Sequence, residues 1–149
     1  MSSPIPKPGI LDISPYVGGE SEIKGVDRVI KLASNEGALG PSPKAMEAYI
    51  KEAGALHRYP DGSASQLRNA LAAAYGLDAD RIVCGSGSDE LLDMLARAYA
   101  APGDEIMFTE HGFLMYPIAA MGVGATPVKV AEKSLHADVD ALIERACDK

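Results

Sequence analysis

Tryptophan is absent from the 149 residues, phenylalanine occurs twice and tyrosine six times. A core made from this chain must therefore be aliphatic and rich in alanine. Runs of Lys or Arg are also missing, and the net charge is −7. That balance excludes a nucleic-acid partner, because phosphate contacts need clustered cations; the acidity serves solubility. No apolar stretch has the length of a membrane span, so no membrane partner is expected. The opening Met1-Ser2-Ser3-Pro4-Ile5-Pro6 lacks the basic-then-apolar order of a signal peptide. The two cysteines, Cys84 and Cys147, are too few for a disulfide framework. Cys84 lies in an apolar run and reads as a small core residue. Both fit a reducing compartment, so a cytoplasmic location is expected. His57, His111 and His136 stand far apart, without Cys, Asp or Glu at ligand spacing, so no metal site is expected.

What remains is a chain of ordinary globular composition, 47% apolar and 23% charged, long enough for one domain with a core. Residues 1–30 are rich in Pro and Gly and show no period, which makes them an arm. Ile10, Leu11, Ile13, Tyr16 and Val17 give that arm an apolar face, suited to lying on a surface such as that of a partner subunit.

From residue 31 onward, strand and helix patterns alternate. Arg28 to Ala33 reads as a short strand. Ser42 and Pro43 then suit the N-cap and first position of a helix, whose face is Met46, Tyr49, Ile50 and Ala53 and whose stop is Gly54. A second helix opens at Ala64 or Ser65, turns Leu67, Leu71, Ala74 and Tyr75 inward, and ends at Gly76. Arg81 to Cys84 reads as a strand, and Asp89 to Ala100 as a helix with Leu91, Leu92, Leu95, Ala98 and Tyr99 at helical spacing. Glu105 to Thr109 is a strand, residues 111–122 hold a loop and a short helix, and Gly124 to Ala131 is a further strand. Asp138 caps a last helix with Val139, Leu142, Ile143 and Ala146 inward. This alternation predicts an α/β fold with a mostly parallel sheet flanked by helices.

The segment with the clearest chemistry is Cys84-Gly85-Ser86-Gly87-Ser88-Asp89-Glu90. Two glycines allow a tight turn and close approach of a ligand. The turn ends at a helix N-terminus, where unpaired N–H groups and the helix dipole favour an anion. The plainer reading is a strand-to-helix turn capped by Ser88 or Asp89. No Gly-Lys-Ser/Thr follows, so this is not a nucleotide P-loop. Glu90 stands where a dinucleotide fingerprint needs its third glycine. Three further loops hold candidate ligands but are individually unspecific: Asn35 with its Gly/Pro-rich surroundings, the turn around Tyr59, and the segment with Phe113 and Tyr116.

Taken in order, these segments resemble the histidinol-phosphate aminotransferase family. The resemblance rests on Leu32-Ala33-Ser34-Asn35-Glu36 with Gly40-Pro41-Ser42-Pro43, Arg58-Tyr59-Pro60-Asp61-Gly62, the run from Cys84 to Asp93, Ala101-Pro102-Gly103-Asp104-Glu105-Ile106, and Phe113 with Tyr116. It covers the chain from about Ile10 onward. It implies a fold-type-I pyridoxal-phosphate (PLP) enzyme, with residues 1–30 as the N-terminal arm and residues 31–149 as an incomplete PLP-binding large domain. It further implies that Gly87, Ser88 and Asp89 hold the cofactor phosphate and that Phe113 stacks on its ring. Tyr59 would reach the phosphate of a neighbouring subunit in a homodimer. Tyr16 and Asn35 would line the substrate side. Gly37 stands where close relatives have Asn.

The resemblance also implies absences. The family's Schiff-base lysine follows a Ser, and no Ser-Lys pair occurs. The Asp-Glu-Ala-Tyr segment that supplies the carboxylate for the pyridine nitrogen is missing too, as is the Arg that grips the substrate carboxylate. A 149-residue chain alone is accordingly expected to be inactive. In that fold Arg81 to Cys84 would lack its partner strands, and only the strands at 105–109 and 124–131 would pair. The activity the resemblance implies is transfer of an amino group between small-molecule donor and acceptor, between glutamate/2-oxoglutarate and histidinol phosphate/imidazole-acetol phosphate. An aromatic aminotransferase of the same fold and a non-catalytic phosphate-binding module are the alternatives.

Overall fold

Local signals place the helices well. The computed structural model describes residues 4–18, 23–31 and 34–146. Helix α1 spans Pro43–Glu52, with the Ser42 side chain accepting from the Ala45 N–H and Pro43 in the first turn. It does not run to Gly54; a single 3-10 turn, Ala53–Ala55, follows it. Helix α2 spans Ser65–Tyr75 and ends on Gly76, which is left-handed at φ 67°. Helix α3 spans Ser88–Tyr99. Strand β1 is Glu105–Thr109, helix α4 is Met115–Val123 and strand β2 is Thr126–Val130. Two short strands follow, β3 at Glu132–Lys133 and β4 at His136–Ala137. Helix α5, Val139–Arg145, is capped by the Asp138 side chain accepting from the Ala141 N–H.

The chain divides into two units, one of residues 17–83 and one of residues up to 16 together with 84 onward. In the second, β1 and β2 pair in parallel with Glu105 opposite Thr126 and Thr109 opposite Val130. Parallel neighbours need a crossover, and α4 supplies it, packing on both strands and on α3. Ala96 of α3, Ala120 of α4, Ala125 and Val130 are the buried apolar residues among those described. With Ala at 96 and 120, the core has the small, aliphatic character that the composition dictates. Gly124 closes α4 in a Schellman turn: its N–H donates to the Met121 carbonyl and the Ala125 N–H to the Ala120 carbonyl. Its φ is 83°, and a Cβ there would lie 3.0 Å from Pro102 Cγ.

The other unit holds α1, α2 and a 3-10 turn at Ala79–Arg81. Arg68 of α2 ties that turn down, its Nε and Nη2 donating to the Ala79 carbonyl at 2.9 and 2.6 Å.

The architecture is mixed α/β with a small parallel sheet, and several expectations from the sequence need correction. Arg28 to Lys31 is not a strand, and Leu32 and Ala33 lie outside the described residues, as does Cys147. Arg81 ends a 3-10 turn and Ile82 is extended, but among the described residues Ile82 to Cys84 pairs with nothing, as the resemblance implied, and without a partner for its N–H and C=O groups it is no strand. Among the described residues the β1–β2 pair stands as the one parallel pairing, as the resemblance implied. Met46, Tyr49, Ile50, Leu67, Tyr75, Leu95, Tyr99, Val139 and Ile143 are exposed rather than inward. Helical spacing made each face, but the packing of α3 on α4 and of α5 on β2 covers those faces only in part. The β3–β4 hairpin was not foreseen. Among the described residues no helix is long and apolar enough to cross a membrane.

Candidate functional site

The turn into α3 is built by two glycines for different reasons. A Cβ on Gly85 would lie 2.9 Å from Glu90 Oε2 and 3.2 Å from Leu91 Cδ2, so the Glu90 carboxylate would have to move off to admit one. A Cβ on Gly87 would meet nothing within 4 Å. Its constraint is the backbone, at φ 89° and ψ −177°, a region open to glycine and hardly to any other residue. Gly87 is itself the N-cap, and no side chain caps the helix. Neither Ser88 nor Asp89 is therefore the cap that the plainer reading required. The Glu90 carboxylate turns back to accept from the Ser86 N–H. Ser88 and Asp89 in the first turn of this 12-residue helix are exposed, and among the described residues no side chain caps it; such a helix start suits an anion.

The turn after β1 carries the aromatic candidate. Phe113 is 39% exposed and lines a cleft of about 310 Å³ with Phe108, Gly112, Pro117, Pro127 and Lys129. Its ring meets Tyr116 edge-on at 6.1 Å and Tyr16 edge-on at 6.2 Å. The structure thus brings together Tyr16, read as a substrate residue, and Phe113, read as a ring-stacking residue. The segment before Tyr16 includes a 3-10 turn at Ile10–Asp12, and Asp12, Pro15 and Tyr16 line a cleft of about 170 Å³ with Leu114, Pro117 and Ile118.

One residue at this site escaped the sequence reading. The Glu132 carboxylate accepts from the His111 N–H at 3.0 Å and pairs with His111 Nδ1 at 2.9 Å. Its side chain is 8% exposed, against 62% for His111. The His111 backbone N–H, then the imidazole, hold its carboxyl below the usual carboxylate range against the opposing effect of desolvation. Nothing in the local sequence marks it, since it stands 21 residues from its partner.

In the other unit, Tyr59 is fully exposed. It precedes Asp61, whose two oxygens accept from the backbone N–H and hydroxyl of both Ser63 and Ser65. Those four bonds, the Ser65 hydroxyl foremost, hold the Asp61 carboxyl far below its ordinary range. They also open α2 in place of its left-handed N-cap Ala64. Asn35 is exposed and left-handed at φ 50°, a conformation asparagine tolerates. Beside it, Glu36 pairs with Lys31 at 3.0 Å. Among the described residues no group of three His, Cys, Asp or Glu could hold a metal.

Residues 27–148 match the family described as aminotransferase class I and II. The chain is 65% identical over 143 residues to the histidinol-phosphate aminotransferase of Paramagnetospirillum magneticum, covering 96% of this chain and 39% of that protein. It is 59% identical over 145 residues to that of Rhodospirillum rubrum, covering 97% and 39%. The chain thus spans about two fifths of the length of these relatives. The crystal structure of Sinorhizobium meliloti histidinol-phosphate aminotransferase in complex with pyridoxal-5'-phosphate matches with a TM-score of 0.71 at 27% identity, over 74% of this chain and 30% of that one. An alanine aminotransferase from Pyrococcus furiosus shares the fold, with a TM-score of 0.63 at 24% identity over 72% and 30%.

Proposed function

The chain belongs to the aminotransferase class I and II family, and from that premise we propose that it forms the N-terminal part of a histidinol-phosphate:2-oxoglutarate aminotransferase of histidine biosynthesis. The cofactor of this reading is pyridoxal 5'-phosphate, and the complete protein is a homodimer. The observation that carries it is the start of α3, where glycine-only backbone at Gly87 leads into an exposed first turn that no described side chain caps. An anionic phosphate fits that start by charge and by hydrogen-bond direction.

In this reading the N–H groups of Ser88 and Asp89 donate to the cofactor phosphate. Glu90 keeps its carboxylate on the Ser86 N–H, which fixes the turn. Phe113 lies against the cofactor ring, with Tyr116 and Tyr16 bracing it edge-on. Tyr16 and Asn35 face the substrate, and the exposed Tyr59 reaches the phosphate held by a second copy. When bound, the cofactor ring takes up the electron pair released as the substrate loses its α-proton. No residue of this chain matches the lysine that bonds the cofactor or the carboxylate that faces its ring nitrogen, so the chain alone is inactive in this reading.

The test is transamination by the full-length protein, with histidinol phosphate and phenylalanine compared as amino donors. A kcat/KM at least about a hundredfold higher for histidinol phosphate is expected, about 2.7 kcal/mol of discrimination. Preference for phenylalanine would make the protein an aromatic aminotransferase. Failure to take up the cofactor, read from its visible absorbance, would leave a non-catalytic phosphate-binding module.

A further inference from the structure

We propose that Glu132 is a positioning residue whose carboxylate clasps the turn that aims Phe113. The inference rests on the reading that Phe113 faces the cofactor ring. Because β1 and β2 are parallel and in register up to Thr109 opposite Val130, the chain leaves both strands at the same edge of the sheet. His111 and Glu132 each lie two residues beyond that last pair. The clasp therefore spans the edge where ligands of parallel sheets sit, outside the carboxyl ends of the strands.

The geometry is specific. One Glu132 oxygen accepts from the His111 N–H and the other meets His111 Nδ1. The Thr109 hydroxyl also favours the charged carboxylate. A carboxylate with a side chain only 8% exposed is tolerated because these donors replace its water. Gly112 passes the constraint on. A Cβ there would sit 3.0 Å from the Thr109 carbonyl and 3.4 Å from Tyr116, so the turn is already closed tightly upon β1. Phe113 follows directly, and its exit angle is set by a turn anchored at Thr109 and His111.

A merely structural Glu132 would hold β3 in place and do nothing for the cofactor. The experiment compares E132A, E132Q, H111A and R145A in the full-length protein. Arg145 pairs with Glu105 at 3.0 Å elsewhere in the same unit and serves as the control for lost stability. Three quantities are read: the dissociation constant for pyridoxal phosphate, the visible circular dichroism of the bound cofactor, and hydrogen exchange over residues 109–114 without cofactor.

E132A is expected to speed exchange over 109–114, to alter the dichroism and to weaken cofactor binding about tenfold, the scale of one charge-assisted hydrogen bond. E132Q keeps one acceptor, and its amide N–H can donate to the neutral imidazole, so binding should return to within about threefold of wild type. H111A keeps the backbone bond and should fall between, which tests the clasp even if E132A does not fold. R145A should lower the melting temperature and leave the dichroism and the dissociation constant alone. Wild-type dichroism and affinity in E132A or H111A, or equal changes in R145A, would overturn the proposal while the functional reading stood. No cofactor uptake by the wild-type protein would overturn both.

Discussion

Replacing Gly87 with alanine should weaken cofactor binding without any new steric clash. A Cβ at this position has no neighbour within 4 Å, so the whole penalty comes from the backbone. At φ 89° and ψ −177° an L-residue is strained by roughly 1–3 kcal/mol. The variant has two ways to respond. It can keep the turn and lose that much stability, or relax the turn and swing the Ser88 and Asp89 amides away from the proposed phosphate position. The second response divides the affinity by about 5 to 150, since each 1.4 kcal/mol is tenfold. The assay is a titration of the full-length protein with pyridoxal phosphate, paired with thermal unfolding of the cofactor-free form. Gly122 is the internal comparison. It lies inside α4, carries no positive φ, and also has open space at its Cβ. Alanine there should raise stability by about 0.5–1 kcal/mol and leave affinity unchanged. If G87A matched wild type in both affinity and stability, the claim that this glycine sets the phosphate turn would fail.

Two further outcomes follow from the geometry of the units themselves. Asp61→Ala should fray the start of α2, seen as faster amide exchange at Ser63 and Ser65, because it removes the acceptor of four hydrogen bonds. The folded carboxyl is depressed, so its contribution is complete above the ordinary carboxylate value and is lost only as pH falls through the depressed one. Protection at Ser65 should therefore persist below about pH 4, and loss centred on that ordinary value would contradict the assignment. Gly124→Ala meets both a left-handed φ and a Cβ 3.0 Å from Pro102. A destabilisation of roughly 1–3 kcal/mol is expected in denaturant unfolding of the full-length protein, and a neutral result would show that Pro102 yields freely.

The elements readable from the sequence are those set within a few residues. Ser42 with Pro43, Asp138 and Gly76 act through their own turns, and the structure has each in its expected role. The glycine turn into α3 was legible because glycines and a helix start are local features, although the supposed caps Ser88 and Asp89 proved not to cap. The hairpin of β3 and β4 was not legible. Its turn residues, Ser134 and Leu135, both have positive φ, where the usual signal is Asn-Gly or Asp-Gly. The contribution of Asp61 was missed although its Ser partners lie two and four residues away, a spacing that could have been read.

The order of the amino acids alone determined where α1, α2 and α5 begin, which five residues form β1, and that a glycine turn leads into α3. Those features depend on backbone freedom, capping and side-chain period, all decided over one or two turns of chain. Tertiary structure alone decided that Met46, Tyr49 and Ile50 of α1 and Val139 and Ile143 of α5 are exposed, and that Glu132 reaches His111 across 21 residues. A strand and a buried face exist only when a distant segment supplies the other half, and a carboxylate finds its donors only after two strands have aligned.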